Sequence, residues 1–255
     1  MIDLWLFYLL AVPVVLLVGL SKGGFGGGLG LLAVPILSLA VDPRLAAAVL
    51  LPILCSMDLV SLWSFRGHWH KRNLLIMFPG AMLGLAFGAA TFTYMNAEVI
   101  RLLVGLMALY FVVHYLWGRH VLQRVAVQPA SLVRGSIWST LAGFVSYIAH
   151  AGGPPIAMYL LPQRMPRTLF VGTTVVFFSV VNFIKLVPYV AMGQLHLGAF
   201  LTSLVLLPLA PIGVRLGVYL HHRVNDTWFY GVCYFLLAVA GVKLLAESIM
   251  AWLGG

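Results

Sequence analysis

Between Leu4 and Val41 the chain carries one charged residue, Lys22, and in the middle of that run it places GLSKGGFGGGLG, residues 19–30. The two facts pull against each other. A run this apolar is suited to a bilayer, where every backbone N–H and C=O must be bonded internally and only helices or closed barrels survive. Yet each glycine inside a helix costs about 1 kcal/mol relative to alanine, so a cluster of them breaks the helix. Broken backbone at membrane depth persists only where protein buries it or where it lines a wet cavity. A second break of the same kind lies at residues 143–156, GFVSYIAHAGGPPI. One break in each half of an apolar chain points to a ligand site at the bilayer midplane.

The rest of the composition agrees. Of 255 residues, 62% are hydrophobic and 8% charged, with mean hydropathy +1.05, against about 25% charged in soluble domains. The short alternating segments of a membrane β-barrel are absent, so the reading is an all-α polytopic membrane protein. No hydrophilic stretch is long enough for a second domain. The net charge of +9 sits in short loops, which suits anionic lipid and not nucleic acid. The first apolar run follows Met-Ile-Asp with no basic region or small-residue cleavage site, so it reads as mature protein. Cys55 and Cys233 fall inside apolar runs without metal-ligand spacing. No catalytic triad, zinc motif or phosphate loop is present, so neither an enzyme nor a cofactor is expected.

Apolar segments run at 4–41, 45–65, 74–94, 98–117, 131–161, 168–190, 197–220 and 227–252. The loop 119–130 splits the chain into an N-terminal unit, 1–118, and a C-terminal unit, 131–255. The units resemble one another. Pro79, Gly84 and Gly88 recur as Pro208, Gly213 and Gly217 at an offset of 129, and Asn96 as Asn225. Gly27-Gly28 recurs as Gly152-Gly153 at 125, and Gly67 as Gly193 at 126. Offsets that grow along the chain fit a duplication with small insertions. The first segment of each unit is long for one crossing of ~20 residues and short for two. Two half-helices meeting at the break as a re-entrant V fit that length. Three full crossings per unit then follow. Nine Lys/Arg fall on the inner side, against Arg44 and Arg101 outside, as the positive-inside rule requires. An odd number of crossings per unit makes the two repeats inverted, with both termini outside.

Lys22, Asp58, Lys185 and Arg215 lie within apolar segments. Such residues are costly in lipid and face a cavity or a partner. Lys22 can offer a cation to an anionic ligand or pair with Asp58. Asp58 can take a coupling proton or neutralise Lys22 or Lys185, with pairing favoured. Lys185 can serve the site or snorkel outward. Arg215 reads as a structural partner, and Glu98 as a helix-start carboxylate. The breaks offer a second means of binding. A half-helix opening after glycine presents free N–H groups and the positive end of its dipole, a ready anion site. Gly26, Gly27 and Gly28 open one such half-helix; Gly152, Gly153 and Pro154 open the other. Together they would cage an anion. His150 precedes the second break and can bond the ligand or act as a helix-end partner. Ser56 and Asn182, mates at an offset of 126, are candidate donors, as are Ser21, Ser146 and Tyr147. The expected partners are therefore a small anionic substrate, membrane lipid and protons.

The first break, GFGGGLGLLAVPIL, its counterpart AHAGGPPIAMYL and the duplicated frame around them resemble the sulfite exporter TauE/SafE family of membrane transporters. The likeness covers nearly the whole chain. It implies transport of small sulfur-containing anions such as sulfite, sulfonates or sulfoacetate, often as export; the expected location is the bacterial inner membrane. Ala151 stands where a third glycine is common, and Pro154-Pro155 follow. The expected function is alternating-access secondary transport of a small oxyanion. Proton-coupled uptake, an anion channel and a membrane assembly factor are the alternatives.

Overall fold

The computed structural model describes residues 4–26, 30–92, 94–121, 127–220 and 226–253; Gly27 and Gly28 lie outside them. All regular structure among these residues is helical. The N-terminal half contains α1 (Leu4–Gly24), α2 (Gly30–Leu37), α3 (Pro43–Ser64), α4 (Lys71–Phe92) and α5 (Ala97–Val121). The C-terminal half contains α6 (Leu132–Ala149), α7 (Gly153–Leu160), a 3-10 turn (Leu161–Gln163), α8 (Arg167–Ala191), α9 (Leu197–Leu206), α10 (Leu209–Leu220) and α11 (Asp226–Leu253). Helices α1, α3, α4 and α8 are long and apolar enough to cross a membrane, and α9 with α10, bent by 45°, can form a fifth span. The protein is thus an integral membrane protein.

The first segment of each half breaks into two helices of unequal length. In the first half α1 has 21 residues, or about 31 Å, and is followed by the 8-residue α2. In the second half the 18-residue α6 precedes the 8-residue α7. The reason lies in what the glycines face. A Cβ at Gly23 would overlap the Val214 carbonyl, and one at Gly24 the Gly217 carbonyl. These two, with Gly19, let α10 approach α1 backbone to backbone, and the helix continues through them. Only the glycines beyond Gly24 mark the break. Pro208 also acts differently from its mate: Pro79 stays inside α4, whereas the chain bends at 207–208.

Helix pairing is exchanged between the halves. In α4, a Cβ at Gly80 would lie 2.6 Å from the Ser136 carbonyl and one at Gly88 would lie 2.8 Å from Tyr147 Cβ, while one at Gly84 would overlap the Thr140 carbonyl. Residue numbers rise together, so α4 and α6 run parallel. Gly19 approaches Gly213, and Gly24 approaches Gly217, so α1 and α10 run parallel too. The pairs of like position run the other way. Asp58 meets Asn182, whereas His70, just past α3, donates from its N–H to Thr173 Oγ1 near the start of α8 (2.9 Å). Ser248 of α11 donates to the Glu98 carbonyl (3.2 Å), while Gly241 packs on Ala108 of α5. Hence α3 with α8, and α5 with α11, are antiparallel.

Two loops repeat in detail. Gly67 and Gly193 both take positive φ, 80° and 68°. Three residues on, His70 Nδ1 accepts from the Asn73 N–H and His196 Nδ1 from the Ala199 N–H, each at 3.2 Å. A neutral histidine nitrogen here does the work of an N-cap oxygen. At the start of α5, Asn96 Oδ1 accepts from the Val99 N–H (2.8 Å), with Glu98 in the first turn as expected.

Candidate functional site

The last turn of α1 brings Lys22 against α3. Its ammonium pairs with Asp58 Oδ1 and donates to the Leu54 carbonyl (3.3 Å). The other Asp58 oxygen accepts from Asn182 Nδ2 of α8 at 2.7 Å. One turn further along α8, Lys185 Nζ meets three acceptors: the Ser146 carbonyl and Oγ, both at 3.0 Å, and His150 Nδ1 at 2.8 Å. An ammonium has three hydrogens, and each has a partner here. His150 Nε2 faces the Ala47 carbonyl at 2.9 Å. A carbonyl only accepts, so Nε2 carries the hydrogen and Nδ1 is left to accept from Lys185. The ring is therefore neutral in this arrangement. The Ser146 carbonyl belongs to the last turn of α6, where the helix dipole favours a cation.

These groups form one buried cluster. Asp58 and Lys185 are 0% exposed, Asn182 3%, His150 6% and Lys22 7%. Cys55, buried on α3, lies within electrostatic reach of Asp58, Lys22 and Lys185. His150 lies within reach of both lysines. The cluster holds two lysines and one carboxylate. The remaining described acids lie elsewhere: Asp42 caps α3, Glu98 and Asp226 stand at the starts of α5 and α11, and Glu247 is half-exposed beside Lys243 (3.7 Å). Arg215 is exposed on α10, away from the cluster.

The two breaks meet beside it. A Cβ at Gly30, the first residue of α2, would lie 2.9 Å from the His150 carbonyl. Gly26 has φ 75°, and a Cβ there would stand 2.5 Å from the Phe170 ring, so conformation and space both require glycine. The corresponding left-handed residue of the second break is His150 (φ 53°), not a glycine. Gly152 is right-handed, at φ −69°, and is glycine for space: its Cβ would lie 2.8 Å from the Ala142 carbonyl and 2.9 Å from the Phe178 ring. The second half-helix is also poorer in donors than the sequence suggested. Pro154 and Pro155 carry no N–H, and the Ile156 N–H already turns back to Gly152 (3.4 Å). Only Gly152 and Gly153 can offer an N–H at the start of α7.

Other groups fall around this centre. Ser56 is half-buried on α3 and makes no hydrogen bond to the cluster among the described residues. Ser146, expected as a donor, is an acceptor for Lys185. Tyr189 stacks on His150 at 6.3 Å between centroids and donates to the Tyr147 carbonyl (2.8 Å). The far end of α7 is tied to α4: Tyr159 OH donates to Asn73 Oδ1 (2.9 Å), and Asn73 Nδ2 to Gln163 Oε1 (2.8 Å). Side-chain patterns gave no sign of the carbonyls of Ala47, Leu54 and Ser146, because every residue has one.

A buried cluster of two lysines, an aspartate, an asparagine and a histidine thus lies where two broken helices meet, inside a helical membrane protein. Residues 11–244 match the family described as sulfite exporter TauE/SafE, and the chain belongs to that family. Its members are membrane transporters of sulfite and related anions, not enzymes. No curated protein and no solved structure matches the chain.

Proposed function

We propose that the protein exports small sulfur-containing or organic oxyanions, of the sulfite, sulfonate and sulfoacetate class, across the bacterial inner membrane by alternating access. The observation that carries this reading is the charge of the buried cluster. Lys22 is answered by Asp58, whereas Lys185 is held by neutral acceptors only. An unbalanced cation at membrane depth is costly and is relieved by an anion. In this reading the oxyanion lies between Lys185 and the starts of α2 and α7, with Lys22, His150 and Asn182 around it. The N–H groups of Gly26, Gly152 and Gly153 complete its shell. Export gains from an inside-negative potential, at about 2.3 kcal/mol per charge per 100 mV.

Residues 1–118 and 131–255 then act as inverted repeats joined by 119–130. The antiparallel runs of α3 with α8 and of α5 with α11 support that relation, as does the exchanged pairing of α1 with α10 and α4 with α6. Equivalent halves of opposite direction let the same contacts close either face around one site.

The test is counterflow in proteoliposomes with labelled sulfite, with methanesulfonate and uncharged dimethyl sulfone as competitors. Saturable exchange, blocked by methanesulfonate and not by the sulfone, is expected. Lys185→Met is expected to lower the flux at least tenfold at equal insertion. Flux without saturation or counterflow would make the protein a channel. Equal competition by the sulfone would remove the anion site.

A further inference from the structure

The site's charge count sets the charge of its cargo. We infer that the cargo crosses with one net negative charge, which leaves the loaded site neutral, so a monoanion crosses alone and a dianion crosses only with one proton; this rests on the transport reading above. With both lysines protonated, the two of them against one carboxylate give the empty site a net charge of +1. One monoanion makes it neutral. A dianion leaves it at −1, in surroundings where unbalanced charge is strongly penalised. A proton on Asp58, or on the anion itself, restores neutrality.

Asp58 is placed to act as this counter. It is fully buried, and it is the one described acid inside the cluster. The groups facing it are Lys22 from α1, Asn182 and Lys185 from α8, and Cys55 from its own helix. His150, at the end of α6, completes the titratable set through Lys185. Of these, Asp58 alone contributes negative charge in the bonded arrangement. A neutral side chain at 58 would give a site of net +2, matched to a dianion with no proton.

Methanesulfonate and sulfate separate the cases. They share a tetrahedral sulfur and nearly the same size, they differ by one charge, and neither titrates near neutral pH. Binding to purified protein in lipid nanodiscs is measured by titration calorimetry at pH 7.5, in buffers of different ionisation enthalpy that report proton uptake. The wild type is expected to bind methanesulfonate at least tenfold more tightly than sulfate and without proton uptake. Sulfate is expected to take up about one proton. In Asp58→Asn the order inverts and sulfate binds without a proton. Lys22→Met/Asp58→Asn returns the site to +1 and restores the monoanion preference. This double variant also removes a whole ion pair instead of stranding one partner, so it decides the matter if the single variant does not fold. Proton-free sulfate binding as tight as methanesulfonate in the wild type would overturn the inference. So would an equal shift of both ligands in Asp58→Asn, or a sulfate preference in the double variant. A wild type that binds neither anion would instead overturn the transport reading beneath it.

Discussion

His150 holds a backbone conformation that side chains resist, and replacing it separates backbone from ring. At φ 53°, a residue with a Cβ costs roughly 1–2 kcal/mol relative to glycine. The ring compensates through two buried hydrogen bonds, to Ala47 (2.9 Å) and from Lys185 (2.8 Å). His150→Ala loses both bonds and keeps the backbone cost. His150→Gly loses both bonds and sheds that cost, less a few tenths of a kcal/mol for the freer unfolded chain. The glycine variant should therefore be the more stable of the two by about 1 kcal/mol, or roughly 2–4 °C in Tm for a chain of this size. Thermal unfolding in detergent, followed by intrinsic fluorescence, reads this difference. Anion binding should behave otherwise, falling at least tenfold in both variants, since each removes the ring that holds Lys185 in place and leaves it only the two Ser146 acceptors. An alanine variant as stable as the glycine one would refute the left-handed assignment. Full binding in the glycine variant would show that the ring has only a structural role.

Two further outcomes are expected. Gly84→Ala and Gly217→Ala each place a Cβ onto a backbone carbonyl of the neighbouring helix, of Thr140 and Leu20 respectively. Each should destabilise by about 1–3 kcal/mol, seen as a lower Tm, whereas alanine at exposed Arg215 should shift it by less than about 0.5 kcal/mol. Asn73→Ala and the milder Tyr159→Phe loosen the tie between α7 and α4. In a Cys233→Ala background they should speed maleimide labelling of buried Cys55 about fivefold, from the inner face of vesicles only; equal labelling from both faces would mean general loosening of the fold.

Much of the candidate cluster was legible in the sequence because charge in a bilayer is scarce. Lys22, Asp58 and Lys185 stand out in apolar runs, and the Lys22–Asp58 pairing follows from the need to neutralise them. His150 stands beside a break that the glycines announce. The geometry of the breaks was less legible. Gly19, Gly23 and Gly24 look like helix breakers, yet they are contact points with α10, a partner nearly the whole chain away. The glycine pattern does not show that Gly26 is required by its φ while Gly152 is required by space. Prolines at 154 and 155 read as good helix starters, but they also remove the donors that an anion cage needs. The repeat offsets hint at two related halves; which helix packs on which depends on side-by-side contacts that offsets do not encode.

The exchanged pairing has a consequence for how the chain is made. The glycine seam between α1 and α10 joins residues about 190 positions apart. At roughly 5–20 residues per second of synthesis, α1 waits on the order of 10–40 s for its partner. The buried charges wait far less. Asp58 follows Lys22 by 36 residues, which takes about 2–7 s at that pace, and Lys185 emerges when Ser146 and His150 are already present. Early synthesis thus settles the electrostatics, while the first half stands in the membrane with its glycine face against lipid. A ribosome stalled near residue 118 would leave a half that is neutralised but unpaired, awaiting a helix not yet translated.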